Sequence, residues 1–250
     1  MTAARDQKLS PLGTVAEMWA VYRRHWKFLV PAAIVVLLPQ SLADAFLEGY
    51  HVEHLRTVAD FANIGAALLT TAVNLFGQAL YAGLAAAAVI DWRAGRPLPP
   101  LGELIRALPI KRLVVLDLVI TVLTAIGFVL LIVPGLIVLT YIAISPAVMK
   151  IEHLTVQRAL SRSIELVRGR ARQVFVIVVG AIVFTEAVVQ LVAVPFTGWV
   201  ALAVVNLLAE GAFQPIEGLA IALVAIHLLE LHGEAPAPDA MARALVPEHD

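Results

Sequence analysis

The sequence contains no cysteine among its 250 residues, which excludes disulfides, thiol catalysis and cysteine-ligated metal sites. Charge is scarce as well, since Asp, Glu, Lys and Arg make up 15% of the chain, against about 25% in ordinary soluble domains. Apolar residues reach 60%, and they form runs long enough to cross a hydrocarbon layer. The composition therefore predicts an integral membrane protein.

Recognisable catalytic signatures are also missing. The sequence has no G-x-S-x-G, Walker or G-x-G-x-x-G motif, and its seven histidines form neither H-E-x-x-H nor a clustered ligand spacing. The adjacent pairs Glu53-His54 and Glu152-His153 would point in different directions on a helix. We therefore predict no cofactor, no metal site and no catalytic residue, which argues against an enzyme.

Six apolar runs predict six transmembrane helices, since about 20 residues are needed for each crossing. A secretory signal is the competing interpretation of the first run, but the 27 residues before it are too many for an ordinary n-region. We expect a turn at Pro134-Gly135 and a kink or break at Gln214-Pro215. The predicted spans cover residues 28–47, 61–90, 113–133, 134–150, 173–194 and 201–231, and residues 232–250 are predicted to be a disordered tail.

A basic amphipathic segment precedes each pair of spans. The first begins at a T-x-x-E capping box, Thr14 to Glu17, and is predicted to lie on the membrane surface. The third is predicted as a surface helix from Thr155 to Arg168, ended by Gly169. The apolar stripes are Val15, Met18, Trp19 and Tyr22; Leu101, Leu104, Ile105 and Leu108; and Val156, Leu160, Ile164 and Val167. The predicted fold is all-α, with six transmembrane helices as three helical hairpins, each preceded by a basic interfacial helix.

The positions of the basic residues predict the orientation. Five Lys or Arg precede the first span, five lie between spans two and three, six lie between spans four and five and one is in the tail, whereas only Arg56 falls on the other side. The positive-inside rule then places both termini in the cytoplasm, in a bacterial inner membrane. Basic residues beside the spans are candidate contacts for anionic lipid headgroups or a membrane protein partner, not for nucleic acid, because they have apolar backing. They are Arg23, Arg24, Lys27, Lys111, Arg112, Arg158, Arg162, Arg168, Arg170 and Arg172.

Polar side chains inside the predicted spans form a second set of candidates. A carboxylate at the bilayer centre costs about 2.5–3.5 kcal/mol, so these groups are predicted to face the bundle interior or a wet cavity. The alternative is that the amides only hydrogen-bond between helices, and that Asp117 pairs with Arg112 one turn away. The candidates are Asn74, Gln78, Asp117, Glu186, Gln190, Asn206, Glu210, Gln214 and Glu217.

One stretch carries a family resemblance. VPGLIVL from Val133, then Pro146, Glu152 and ALSRSIELVRG at Ala159 to Gly169, resembles the pattern PG…P…E…AL-x-RS-x-x-L-x-x-G. This pattern is typical of the bacterial membrane domain attached to some glycerophosphodiester phosphodiesterases and of related stand-alone six-span proteins. The resemblance implies a six-helix membrane domain of uncharacterised role. It does not imply phosphodiesterase activity, which belongs to a separate soluble domain.

These observations lead to two functional hypotheses. The first is a non-enzymatic scaffold or accessory protein that contacts lipid and partner proteins through its basic cytoplasmic helices. The alternative is a transporter or lipid-handling protein with an acidic and polar bundle interior, for which Glu186, Glu210 and Glu217 would have to line one cavity.

Overall fold

The computed structural model describes residues 10–47, 81, 84–86, 88–93, 100, 102–103, 110–130 and 132–234. Every regular element in these ranges is a helix, which confirms the predicted all-α class. Among the residues that the structure describes, three helices are long and apolar enough to cross a membrane: Val133–Glu152, Ala171–Ala193 and Val200–Leu231. Most of the predicted second span, and the tail after residue 234, lie outside the described residues.

Helix α1, Pro11–Leu47, is continuous over 37 residues, about 55 Å. The separate surface helix predicted from residue 14 was therefore wrong, since the same helix runs on into the first apolar span. Its predicted start was also wrong by four residues, since Ser10 and not Thr14 is the N-cap. Ser10 caps the helix, with the Gly13 amide donating to its Oγ at 3.3 Å and Pro11 in the first helical position.

The last helix, α7 (Trp199–Leu231), packs antiparallel against α1 and forms the largest contact in the fold. Of the kink or break predicted at Gln214-Pro215, the break does not occur, because the helix continues through Pro215. Two glycines of α7 let its neighbours approach closely. A Cβ at Gly211 would overlap the Ile34 side chain of α1, and one at Gly218 would lie 3.0 Å from the Tyr81 ring.

Helices α2 (Ile110–Leu130) and α3 (Ile132–Ile142) pack mainly against each other among the described residues. Pro134 and Gly135, where a turn is predicted, are helical and belong to α3. Both residues lie in the first turn of α3. Backbone N–H groups in the first turn of a helix have no intrahelical acceptor, so a proline there removes no hydrogen bond.

A kink at residues 143–144 separates α3 from α4 (Ser145–Glu152). Pro146 accounts for it, since a proline cannot bond to the carbonyl four residues earlier and its ring clashes with that carbonyl. Helix α5 (Val156–Val167) follows, with Thr155 and Arg168 as its cap positions, as predicted. Gly169 ends it with a φ of 86°, in the left-handed region expected of a C-terminal glycine.

Helix α6, Ala171–Ala193, contains one π-helical turn at Phe175–Val179. It matches the predicted fifth span closely. A short turn over residues 194–198 then leads into α7, with Gly198 at a φ of 93°.

The buried core is concentrated at one end of the bundle. Buried residues cluster in segments 81–90, 142–151 and 216–229. We call this the charged end, because it also carries Glu17, Arg93 and Arg162. The opposite end, at the turn between α6 and α7, is called the apolar end. Its large side chains are exposed, among them Val183, Leu191, Val194, Val200 and Val204.

We predict that Gly211→Ala will destabilise the protein by about 1–3 kcal/mol, because its methyl group overlaps Ile34 in a closely packed contact. The measurement is the free energy of unfolding in mixed micelles. Ile34→Ala in the same chain should recover part of the loss. Gly180→Ala is the control, since a Cβ there meets nothing within 4 Å; equal losses in the two glycine variants would contradict the packing argument.

Candidate functional site

Arg93 joins three segments at the charged end. Its Nε donates to Glu17 Oε1 at 2.8 Å, and its Nη2 donates to Glu17 Oε2 at 3.1 Å, so α1 is held by a two-point contact. Nη1 donates to Glu230, and Nη2 lies 2.9 Å from His227 Nε2, both on α7. The N-terminal part of α1 is therefore attached to α7 and to the segment that carries Arg93.

Glu17 is the most strongly perturbed acid of this cluster. Its burial opposes ionisation, but hydrogen bonds to His227 and Arg93, together with the Arg93 charge, lower its pKa from 4.5 to about 2. Its carboxylate lies 3.1 Å from His227 Nε2 as well. Glu17 therefore stays ionised throughout the physiological range and gives the cluster a permanent negative charge.

Arg162 organises a second cluster at the same end. Its Nε donates to Glu152 Oε2 at 3.2 Å, and its Nη1 donates to Glu165 Oε2 at 2.9 Å. It also forms an ion pair with Glu234, just beyond the end of α7. Because its guanidinium contacts three carboxylates, Arg162 is committed within the protein and is not a free surface charge.

The residues of the family-like pattern have structural roles around this cluster. Ser163 is fully buried, and its Oγ donates to the Tyr141 carbonyl at 2.7 Å, next to the kink that Pro146 introduces. Ala159 and Leu166 are also fully buried, and with Ser163 they form the face of α5 that packs on the bundle. The pattern thus attaches α5 to the α3–α4 kink, which explains these residues without any catalytic role.

The exposed basic residues form a different class. Eight of the ten predicted surface cations are exposed, whereas Arg162 and Arg170 are partly buried. None of the eight pairs with a carboxylate among the residues that the structure describes. Trp19 and Trp26 lie near the three of these cations that belong to α1, Arg23, Arg24 and Lys27, and are 51% and 49% exposed. The eight are Arg23, Arg24, Lys27, Lys111, Arg112, Arg158, Arg168 and Arg172.

The predicted polar interior is only partly brought together. Asn74, Gln78 and the side chain of Asp117 lie outside the described residues. Glu186 and Gln190 are exposed on α6 and bond to each other, with the Gln190 amide donating at 2.8 Å. The remaining four form one half-buried stripe along α7: Asn206, Glu210, Gln214 and Glu217. Glu186 is therefore not an interior residue.

Sequence analysis missed the partners in both arginine clusters. Glu17 was assigned to a capping box, Arg93 to a loop, and His227 and Glu230 to the end of a span. For Glu17, Glu152 and Glu165 the available signal was a charge anomaly, since these acids stand in segments otherwise rich in Lys and Arg, whereas no Lys or Arg lies near Glu230 or Glu234 in the sequence. An acid among many bases is favoured when it pairs with one of them.

Among the described residues, no group of three or more His, Asp or Glu is arranged to hold a metal ion. The chain matched no protein-family model, no curated protein and no solved structure.

The Glu17 cluster predicts acid sensitivity. Since the pKa of Glu17 is depressed in the folded protein, its stabilising contribution is complete above pH 4.5 and is lost as the pH falls from 4.5 toward about 2. Thermal unfolding in detergent over this range should show the loss. Glu17→Gln should lower stability by about 1–2 kcal/mol at pH 7 and flatten the acid-dependent slope. An unchanged slope would contradict the assignment.

The two arginines of α5 should differ in their effect on stability. Arg162→Ala leaves three carboxylates without their common partner and is expected to cost about 2 kcal/mol. Arg158→Ala is the matched control on the same helix, and it should stay within about 0.5 kcal/mol of the parent because Arg158 is exposed. Unfolding titrations of both variants compare them directly, and equal costs would count against the cluster.

Proposed function

We propose that this protein is a non-enzymatic membrane scaffold or accessory protein whose charged end binds anionic lipid headgroups. The supporting observation is the eight exposed cations that have no carboxylate partner among the described residues, with Trp19 and Trp26 exposed on α1 near Arg23, Arg24 and Lys27. Tryptophan is enriched at the headgroup level of membranes. Lysine and arginine near an anionic surface contribute about 1 kcal/mol each.

The division between paired and unpaired arginines supports this proposal. Arg93 and Arg162 are used to hold helices together, so their positive charge is neutralised by the protein's own acids. None of the eight exposed cations has such an acidic partner in the part of the chain that the structure describes. Acids elsewhere in the protein are already paired in the two arginine clusters. The exposed cations are therefore suited to bind an external anion, and the phosphate groups of lipids are such anions.

The topology belongs to the same proposal. We place the charged end at the cytoplasmic face of a bacterial inner membrane, with six spans arranged as three hairpins and both termini inside. The distribution of basic residues supports this orientation. The antiparallel packing of α1 and α7 fits it, since a first span leaving the cytoplasm and a last span returning to it must run in opposite directions. Membership of the bacterial six-span family rests on the PG…P…E…AL-x-RS pattern alone.

The lipid proposal is tested with a triple variant on and after α5: Arg158→Gln, Arg168→Gln and Arg172→Gln. Phosphatidylglycerol retained by the purified protein, counted by native mass spectrometry, should fall by at least half relative to the parent. Each lost cation removes about 1 kcal/mol of headgroup attraction, and the effect should shrink at high salt.

Phosphatidylcholine retention is the control for this experiment and should not change. Arg162→Gln is a matched single variant, and it should leave phosphatidylglycerol retention near the parental value, because Arg162 is already paired. Equal phosphatidylglycerol retention by the parent and the triple variant would contradict the proposal.

The polar stripe of α7 favours a second candidate, a transporter or lipid-handling protein. Asn206, Glu210, Gln214 and Glu217 recur at helical spacing and are all half-buried within a helix long enough to span a membrane. Intramembrane acids are usually conserved for ion or substrate pathways when they face a bundle interior. Glu186 does not belong to this candidate, since it is exposed on α6. Loss of substrate or ion flux in Glu210→Gln and Glu217→Gln liposomes would favour this candidate over the scaffold.

A further inference from the structure

One histidine nitrogen near the end of α7 lies between an acid and a base. His227 Nε2 is 2.9 Å from Arg93 Nη2 and 3.1 Å from Glu17 Oε2. Those two atoms are themselves joined, because Nη2 donates to Oε2 at 3.1 Å. We call these three atoms the His227 triangle. Each pair of them lies within hydrogen-bond distance.

The ring nitrogen of the His227 triangle bonds to only one of its two neighbours at a time. Without a proton, Nε2 is an acceptor, so it bonds to the Arg93 N–H and turns a lone pair toward the Glu17 carboxylate. With a proton, Nε2 is a donor, so it bonds to Glu17 Oε2 and turns its own N–H toward the N–H of Arg93. The proton on Nε2 therefore decides whether His227 is bonded to Arg93 or to α1.

Thr14 determines which nitrogen of the neutral ring carries the hydrogen. Its hydroxyl donates to the Ser10 carbonyl at 3.1 Å, so only its acceptor lone pairs remain for His227 Nδ1, 3.5 Å away. Nδ1 is therefore the donor on this side of the ring. A neutral imidazole has one donor and one acceptor nitrogen, which leaves Nε2 as the acceptor for Arg93.

The charges around His227 favour the uptake of a further proton. Glu17 and Glu230 contribute two negative charges and Arg93 contributes one positive charge, so the sum with a neutral ring is −1. A proton on His227 brings this sum to zero. Other charged groups on the elements next to α7 are Asp91 and Lys150, which are buried and opposite in sign, Arg162, which is paired with Glu152, Glu165 and Glu234, and Arg172, which is exposed.

We propose that His227 is a proton switch that exchanges Arg93 for Glu17 as its hydrogen-bond partner. In the neutral state, Arg93 holds residues 88–93 to both α1 and α7. Protonation turns His227 into a cation, which forms a charge-assisted bond with Glu17 and ties α1 directly to α7. Two cations with facing N–H groups do not stay 2.9 Å apart, so Arg93 Nη2 moves away while Nη1 keeps its bond to Glu230. Acid thus tightens α1 on α7 and loosens residues 88–93 from both helices.

This exchange is separate from the acid sensitivity of Glu17. The ordinary pKa of histidine, about 6.5, lies close to physiological pH. Glu17 stays ionised in that range, because its pKa is about 2. The switch is also distinct from the proposed binding of lipid headgroups, which uses the exposed cations.

Nitrogen-15 NMR of the histidine-labelled full chain in liposomes tests the two protonation states. The His227 signals are identified as those lost in His227→Gln. At pH 8 they should show hydrogen on Nδ1 and none on Nε2, and at pH 5.5 they should show hydrogen on both nitrogens. Hydrogen on Nε2 at pH 8, or a ring that stays neutral at pH 5.5, would overturn the proposal.

Double-mutant cycles at the same two pH values test the exchange of partners. In unfolding titrations in mixed micelles, the coupling factor of Glu17→Gln with His227→Gln should rise at least about threefold from pH 8 to pH 5.5. The coupling factor of Glu17→Gln with Arg93→Gln should fall by a similar ratio, and this fall should disappear in the His227→Gln background.

His232→Gln is the matched control for these cycles. His232 follows α7 directly, but its Nδ1 donates to the Leu228 carbonyl at 2.8 Å, which accepts at either pH. This variant should therefore leave the pH dependence of both couplings unchanged. Couplings that are equal at the two pH values, or a coupling of Glu17 with Arg93 that still changes in the His227→Gln background, would count decisively against the switch.

Discussion

Two guanidinium groups hold the end of the last helix against the rest of the protein. Arg93 contacts Glu230 in the final turn of α7, and Arg162 contacts Glu234 just after it. The two arginines come from widely separated parts of the chain, and each also binds an acid of another helix. Removing the end of α7 would therefore release α1 on one side and α5 on the other. The arrangement of the charged end depends on this double attachment.

The two arginine clusters carry a smaller desolvation penalty in this position than they would deeper in the protein. A paired charge in a dry interior must overcome a large desolvation penalty, which its partner often fails to offset. Arg93 and Arg162 keep 23% and 17% of their side-chain surface exposed. They therefore retain part of their hydration and still gain several charge-assisted hydrogen bonds. Because the two arginines are only partly buried, their ion pairs can fix the orientation of the helices at the end of the apolar interior.

The elements that could be predicted were those whose ends and buried face are set by residues within or directly beside them. Helix α5 could be predicted because Thr155, an amphipathic stripe and Gly169 all lie within it or directly beside it. The course of α1 could not, since an apolar stripe beside basic residues fits a surface helix equally well until Arg93 binds Glu17. Likewise the sequence distinguishes Arg162 from Arg158 only by Glu165, three residues after Arg162. Its other two partners, Glu152 and Glu234, are brought in by folding. The helix does not break at Pro215 for a related reason, because neighbouring helices can stabilise a proline-containing helix.

The π turn at Phe175–Val179 gives α6 two different directions of contact. A π turn adds one residue to the helix without adding a turn, which rotates everything after it by about 100°. Within the π turn, three successive residues, Ile177 to Val179, are buried. From Gly180 onward, one side of the helix is exposed along its length. The single inserted residue thus changes which side of α6 faces the bundle. It lets one helix pack into its own bundle near the charged end and present an outward face near the apolar end.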